Sequence, residues 1–452
     1  MEARIDPVSA DVLAGIVKAY DIRGICPEEL GPSTARALGF AFAEWSGAAC
    51  IALGRDMRPS GIELAESFAD GVQSAGVDVI DLGLASTDLL YFASGRLDVP
   101  GAMLTASHNP AEYNGIKLCG PGAAPVGADS GLAEIAQRAA AGSVVGDARG
   151  RRTRRDLLDT FAHHVRSFVD IESLAPLRVV ADTANGMGGH VVPAVFEPLP
   201  FEVELLYGEL DGTFPNHPAD PIRPENLVDL SERVLVTGAE VGLAFDGDAD
   251  RVFLVDERGR PVTGSMLTAL VAQAMLRRHG PGPILHNLIC SRAVPEVIVE
   301  SGGQPVRTRV GHSYIKAEMA RTGATFGGEH SGHYYFADNY RADSGLIAAL
   351  IALETLSSAA VPLSALLAPL DRYASSGEIN TRVANVDEVL RRTAAHFAEL
   401  PQDWLDGLTV DGGDWWFNLR PSNTEPLLRL NLEAPDAAAV AQRVSEINTL
   451  LA

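Results

Sequence analysis

Residues 50–82 read CIALGRDMRPSGIELAESFADGVQSAGVDVIDL, and two changes of pattern inside them decide the fold class. A short apolar run, Cys50–Leu53, gives way to polar residues. From Gly61 to Ala75 the apolar side chains Leu64, Phe68 and Val72 then recur at every fourth position, and a second apolar run, Val77–Leu82, follows. Strand, amphipathic helix, strand is the βαβ unit of a parallel sheet covered by helices. On its N-terminal side, Ser33 is expected to cap a helix running through Leu38 and Phe42 to Trp45; on its C-terminal side, Gly101–Thr105 reads as a further strand.

The same alternation returns twice. Strands are expected at Leu177–Ala181, Val203–Leu206 and Val241–Phe245, with a helix starting in Asn185–Gly189. They recur near Ile284–Asn287, Val306–Thr308 and Thr325–Phe326, with a helix after Asp343. From Asp371 the texture changes. Strand Glu378–Val383 leads into a helix Val386–Leu400 capped by Asn385, then antiparallel strands at Leu408–Val410, Trp415–Leu419 and Leu427–Leu432, and a last helix Asp436–Leu451. Three α/β domains and a smaller α+β domain follow, with boundaries at 1–150, 151–256, 257–370 and 371–452. The basic run Arg151–Arg155 reads as a solvated linker. No sequence repeat links the three α/β segments.

Composition narrows the function. At 452 residues the chain is too long for one core, and 46% hydrophobic with 21% charged residues is a globular balance. A net charge of −23 excludes a broad polyanion-binding surface, so no nucleic-acid partner is expected. Cys26, Cys50, Cys119 and Cys290 form no C-x-x-C pair, which suits reduced thiols and a cytoplasmic protein. The charged first twenty residues hold no signal peptide, and Glu354 and Pro362 break the one long apolar region, so no membrane span is expected.

Four segments carry chemistry. Thr105-Ala-Ser-His-Asn-Pro110 ends a strand and sets Ser107 among small residues, where an exposed serine can act as a covalent carrier; no G-x-S-x-G elbow surrounds it. Phe245-Asp-Gly-Asp-Ala-Asp-Arg251 places Asp246, Asp248 and Asp250 at alternate positions after an apolar strand, an all-oxygen donor set suited to Mg²⁺ or Ca²⁺ and lacking the EF-hand frame. Gly327-Gly-Glu-His-Ser-Gly-His333 gathers Glu329, His330, Ser331 and His333 around glycines, as sugar hydroxyls need. Arg420-Pro-Ser-Asn-Thr-Glu-Pro426, with Arg429 beyond, can wrap a phosphate. Read singly, each is also a plausible polar turn.

Together, in this order and spacing, and with Tyr20-Asp-Ile-Arg-Gly24 and Val310-Gly-His-Ser-Tyr-Ile-Lys316, the four segments resemble the α-D-phosphohexomutase superfamily, its bacterial phosphomannomutase/phosphoglucomutase group, over essentially the whole chain. The resemblance implies three topologically related α/β domains and a C-terminal α+β domain of the TATA-binding-protein-like class around a central cleft. It implies that Ser107 is the phosphorylated catalytic serine and that Asp246, Asp248 and Asp250 hold one Mg²⁺, joined by an oxygen of the phosphorylated Ser107. It implies that Glu329, His330 and Ser331 grip the sugar, and that Arg420, Ser422, Asn423, Thr424 and Arg429 bind the phosphate not being transferred. Tyr20, Arg23, His108, Lys117, Arg251, His312 and His333 would lie near the transfer site or the substrate phosphate, with His108 and Lys117 as candidates for proton transfer. Where some bacterial members carry a lysine ahead of C-x-R, Ile289 precedes Cys290-Ser-Arg292, leaving Arg292 or Arg309 to supply that contact.

The expected activity is interconversion of mannose 6-phosphate and mannose 1-phosphate through a hexose 1,6-bisphosphate, which also serves as activator. A glucose-specific or dual mutase is the alternative, and a catalytically silent phosphosugar-binding protein is a third reading. A monomer or dimer is expected.

Overall fold

The computed structural model describes residues 4–421 and 427–451. It forms two compact units, Met1–Thr263 with Ser331–Leu366, and Gly264–His330 with Leu367–Ala452.

In the first unit, strands Cys50–Arg55, Asp78–Leu84 and Gly101–Leu104 run parallel, and Tyr113–Gly120 closes antiparallel on the third of them. Numbered by occurrence, their spatial order is 2-1-3-4. The second sheet repeats it: Arg178–Asp182 lies between Glu202–Leu206 and Val241–Phe245, both parallel to it, and Val252–Asp256 returns antiparallel. The second unit shows the same start, with Pro283–Asn287 flanked by parallel strands Gln304–Thr308 and Phe326–Gly328. The three α/β layers are therefore related by topology where their sequences show no repeat.

Each of the three loops singled out in the α/β segments leaves the carboxyl end of the third strand so numbered, the edge where open α/β sheets take their ligands. Ser107 follows Gly101–Leu104, the aspartates follow Val241–Phe245, and Glu329 follows Phe326–Gly328. The C-terminal sheet is antiparallel, ordered Ala374–Arg382, Leu427–Ala434, Trp416–Pro421, Leu408–Asp411, Gln402–Asp403.

Most expected elements form within a residue or two of their anticipated ends. The helix capped by Asn385, whose side chain accepts from Glu388 N–H, starts at Val386 as expected and ends at His396, short of Leu400. Two further expectations are corrected. The helix Pro32–Ser46 starts after Gly31 with Pro32 in its first turn, so Ser33 lies inside it. The basic run is an edge strand: Arg152–Arg154 pairs parallel to Asp78–Leu84, and Arg152 bridges Asp81 at 2.8 Å and Glu66 at 2.6 Å. A half-buried to exposed edge strand shows no apolar alternation, which is why charge concealed it. Among the described residues no single helix is long and apolar enough to cross a membrane, and the apolar helix Gly345–Ala359 buries its side chains in the first unit.

The helices Pro32–Ser46 and Gly61–Ser74 cross on two glycines. A Cβ on Gly39 would stand 2.2 Å from the Phe68 carbonyl oxygen, and one on Gly71 would stand 2.0 Å from that of Arg36. Both contacts are to backbone, which cannot rotate aside. Gly71→Ala is expected to destabilise this unit by about 1–3 kcal/mol through overpacking, read as a lower urea midpoint with native-like circular dichroism before the transition.

Candidate active site

Asp246, Asp248 and Asp250 are 0%, 0% and 1% exposed. Three carboxylates this close and this dry repel one another, and two buried cations offset them. Lys117 Nζ donates to Asp248 Oδ2 and to Asp250 Oδ2, both at 2.7 Å, and Arg251 Nε donates to Asp246 Oδ2 at 2.8 Å. Thr87 holds the loop from a helix N-terminus: its Oγ1 donates to Asp248 Oδ2 at 2.6 Å and its N–H to the Asp248 carbonyl.

The charges settle unequally. Burial, then the neighbouring carboxylates, push Asp246 up to about 7 against the pull of Arg251. Burial opposes ionisation of Asp248 as well, but Lys117 overrides it and holds that carboxyl low. Lys117, flanked by two carboxylates, stays cationic well above its ordinary range despite its burial. Two oxygens, Asp248 Oδ1 and Asp250 Oδ1, are buried and accept no hydrogen bond, and the three carboxylates bring ligand oxygens within 4.8 Å of one another. Unsatisfied hard oxygens in a converging set fit a divalent cation.

Ser107 Oγ donates to Asp246 Oδ2 at 2.7 Å and lies 3.2 Å from His108 Nδ1. The serine loop and the aspartate loop, 139 positions apart in sequence, thus meet directly. The expectation of an exposed serine is corrected: Ser107 keeps 4% of its surface, because its left-handed backbone (φ 50°) turns its carbonyl against Gly247, where a Cβ would lie 2.4 Å away. The surroundings are more open, with His108, Asn109, Arg23 and His333 each half-buried. Burial, with Arg251 and Arg23 nearby, keeps His108 neutral by pulling it well below the usual imidazole range. Arg23 binds Asn109 and Asp21. His333 Nδ1 lies 2.8 Å from Asp343 Oδ2 and 3.8 Å from Asp250 Oδ1. Tyr20 is half-buried.

In the second unit, Glu329 is buried and its Oε1 accepts from Asn287 Nδ2 at 3.1 Å and from Gly311 N–H at 3.2 Å; His330 Nδ1 lies 3.1 Å from the same Asn287 nitrogen. Arg420 and Arg429 are cross-strand neighbours that share Glu378, at 2.9 and 3.5 Å. Arg292 is committed elsewhere, to Asp411 at 2.8 Å and to the Gly413 carbonyl, while the Arg309 guanidinium lies over the Tyr314 ring. Ser422, Asn423 and Thr424 lie outside the described residues, as does the side chain of His312. Ser331 belongs to the first unit.

The sequence reading missed Thr87, Asp343, Asp88 and Arg58. Only Arg58 left a signal: Asp56-Met-Arg58 puts charge directly after a buried strand, where a carboxyl-end ligand loop is expected.

This constellation of serine loop, buried aspartates and flanking cations, on α/β layers of one topology, is that of a phosphoryl-transfer enzyme. Four successive segments match the phosphoglucomutase/phosphomannomutase models: alpha/beta/alpha domain I over residues 14–144, domain II over 159–259, domain III over 263–373 and the C-terminal domain over 378–450. The chain is 40% identical to a phosphomannomutase of Salmonella montevideo over 447 residues, covering 96% of this chain and 98% of that one. It is 39% identical to the phosphohexose mutases protein of Xanthomonas campestris, covering 96% and 98%. A solved phosphoglucomutase/phosphomannomutase family protein from Burkholderia thailandensis superposes with a TM-score of 0.88 at 33% identity, covering 97% of each chain. The chain belongs to the phosphoglucomutase/phosphomannomutase family of enzymes.

Behind the aspartates, Asp88 is wholly buried and accepts from Ser86 Oγ and, at 2.7 Å, from Ser344 Oγ. Burial raises it from 3.8 to about 7, with Asp250 and Asp343 adding to the rise. An unfolded aspartate releases its proton near the lower value, so between pH about 4 and about 7 the folded state binds more protons and loses stability as pH rises. In EDTA, Asp88→Asn is expected to remove this slope: its melting temperature should gain on the wild type from pH 4.5 to 7.5. Parallel melting curves across that range would refute the assignment.

Proposed function

We propose that the protein interconverts mannose 6-phosphate and mannose 1-phosphate through a phosphoserine at Ser107 and a hexose 1,6-bisphosphate, which also primes the serine. The observation that carries this reading is the 2.7 Å contact of Ser107 Oγ with a buried tri-aspartate loop flanked by Arg251 and Lys117. A protein that only bound phosphosugars would gain nothing from three buried carboxylates beside that hydroxyl. The names of the relatives favour mannose first and a broader hexose range second. A Glu329 clamp on sugar hydroxyls away from C2 does not distinguish the two epimers, so glucose stays an alternative substrate.

In this reading Asp246, Asp248 and Asp250 hold one Mg²⁺, which when bound supplies Lewis-acid stabilisation of phosphoryl charge. Arg23 and Arg251 offset the repulsion between the phosphoserine and the incoming sugar phosphate. Lys117, kept cationic by Asp248 and Asp250, serves as charge and not as base. His108, kept neutral, accepts the proton of the attacking sugar hydroxyl. His333, oriented by Asp343, and Tyr20 line the same transfer site. Glu329, His330 and Ser331 hold the sugar, and Arg420, Ser422, Asn423, Thr424, Arg429 and His312 take the phosphate that stays in place. The segments 1–150, 151–256, 257–370 and 371–452 then carry the serine loop, the aspartate loop, the sugar clamp and the phosphate nest. Four free cysteines suit a cytoplasmic enzyme.

Incubation with a hexose 1,6-bisphosphate should add one phosphoryl group to the Ser107 peptide by mass, and Ser107→Ala should fold normally, take up none and lose turnover. Arg251→Met is expected to lower kcat by about 10²–10³-fold, the loss of one aimed charge. EDTA should abolish activity and Mg²⁺ restore it; indifference to chelation would refute the metal assignment. A kcat/KM for mannose 1-phosphate below that for glucose 1-phosphate would reverse the preference.

A further inference from the structure

Among the described residues Arg58 heads the fully buried side chains by size, and neither the aspartate loop nor the segments around Glu329 and Arg420 account for it. A guanidinium taken out of water must be surrounded by acceptors, and the acceptors here come from one place. Nη2 donates to the carbonyls of Ser107 at 2.9 Å and Asn109 at 2.6 Å; Nη1 donates to those of Pro110 at 2.7 Å and Tyr113 at 2.9 Å. All four belong to the serine loop and the start of the strand after it. Asp56 is the counter-ion, its Oδ2 3.3 Å from Nε and its Oδ1 accepting the Arg58 N–H at 3.0 Å. From the other side, the segment around Gly212 lies against the Arg58 backbone and the Phe214 ring covers the guanidinium at 5.0 Å.

We infer that Arg58 is a positioning residue for phosphoryl transfer: by gathering four main-chain carbonyls it holds Ser107 in the left-handed conformation that aims Oγ at Asp246, and Phe214 keeps that guanidinium dry. The inference rests on Ser107 being the phosphoryl carrier. Ser107 has φ 50°, which a residue with a Cβ leaves unless its surroundings over-determine it. Its carbonyl is fixed on one side by Arg58 and fits on the other only because Gly247 lacks a side chain. A planar fork can set four Nη–H donors on four carbonyls at once while Nε keeps Asp56 as an ion-pair partner at 3.3 Å; an ammonium has three donors at one point. Lysine would therefore keep the buried charge and lose the loop geometry.

Arg58→Lys should lower kcat for mannose 1-phosphate by about 10²-fold, the cost of misplacing a reacting group by about an ångström, with KM changed less than about twofold because the binding groups lie elsewhere. Phe214→Ala, at a half-buried ring, should lower kcat a few-fold at the same KM. A folded Arg58→Lys with wild-type kcat, or with its loss in KM, overturns the inference. If Arg58→Lys does not fold, Phe214→Ala decides, and an unchanged kcat overturns it. If the wild type takes no phosphoryl group on Ser107, the mutase reading fails separately. Amide exchange over residues 105–113, expected about tenfold faster in whichever variant folds, then decides whether Arg58 fixes the loop.

Discussion

Three carboxylates buried within ligand distance of one another are an unstable arrangement unless positive charge is built in around them, and the first unit is organised by that requirement. Lys117 reaches Asp248 and Asp250 from a strand of the first sheet; Arg251 folds back from the aspartate loop onto Asp246. Each cation is itself buried, so neither side of the balance tolerates loss of the other. Burial raises Asp246 while Lys117 holds Asp248 low, so the compensation is uneven, and Asp248 Oδ1 and Asp250 Oδ1 accept no hydrogen bond. A cluster made this way has converging oxygens that could hold a divalent cation, with repulsion among the carboxylates already offset by the fold.

Topology explains how the parts arrive together. A sheet ordered 2-1-3-4 places the turn between its third and fourth strands at the centre of the carboxyl edge, with parallel strands on one side and an antiparallel return on the other. The serine and the aspartates leave two such sheets at this same point, and Glu329 leaves the third strand of another. One topological address, the end of that strand, thus carries Ser107, the three aspartates and Glu329. The side chains at that address differ completely, so kinship among the layers survives in strand order alone.

Much was legible in the chain. Period-four apolar stripes gave helices such as Gly61–Ser74, and apolar runs gave central strands such as Val241–Phe245, because burial on both faces leaves a local pattern. Arg152–Arg154 escaped because an edge strand has no such pattern. Ser107 and the three aspartates were legible because each group is contiguous. Thr87, Asp88 and Asp343 were not, because none belongs to a motif; Thr87 and Asp88 matter through partners far along the chain, 161 positions for Thr87 with Asp248 and 256 for Asp88 with Ser344.

By itself the sequence determined which chemical groups exist and which neighbours each carries: a serine between small residues, oxygen donors at alternate positions, and the periodicities that make strands and helices. These are local properties, set by backbone sterics and side-chain type. Tertiary structure alone decided that Ser107 would be closed in and bonded to Asp246, that Lys117 would be a fixed cation, and that an arginine 49 positions upstream would donate to the Ser107 carbonyl. Burial, charge compensation and the strain in one left-handed residue depend on what surrounds a group in space, and chain order does not encode that until the sheets have assembled.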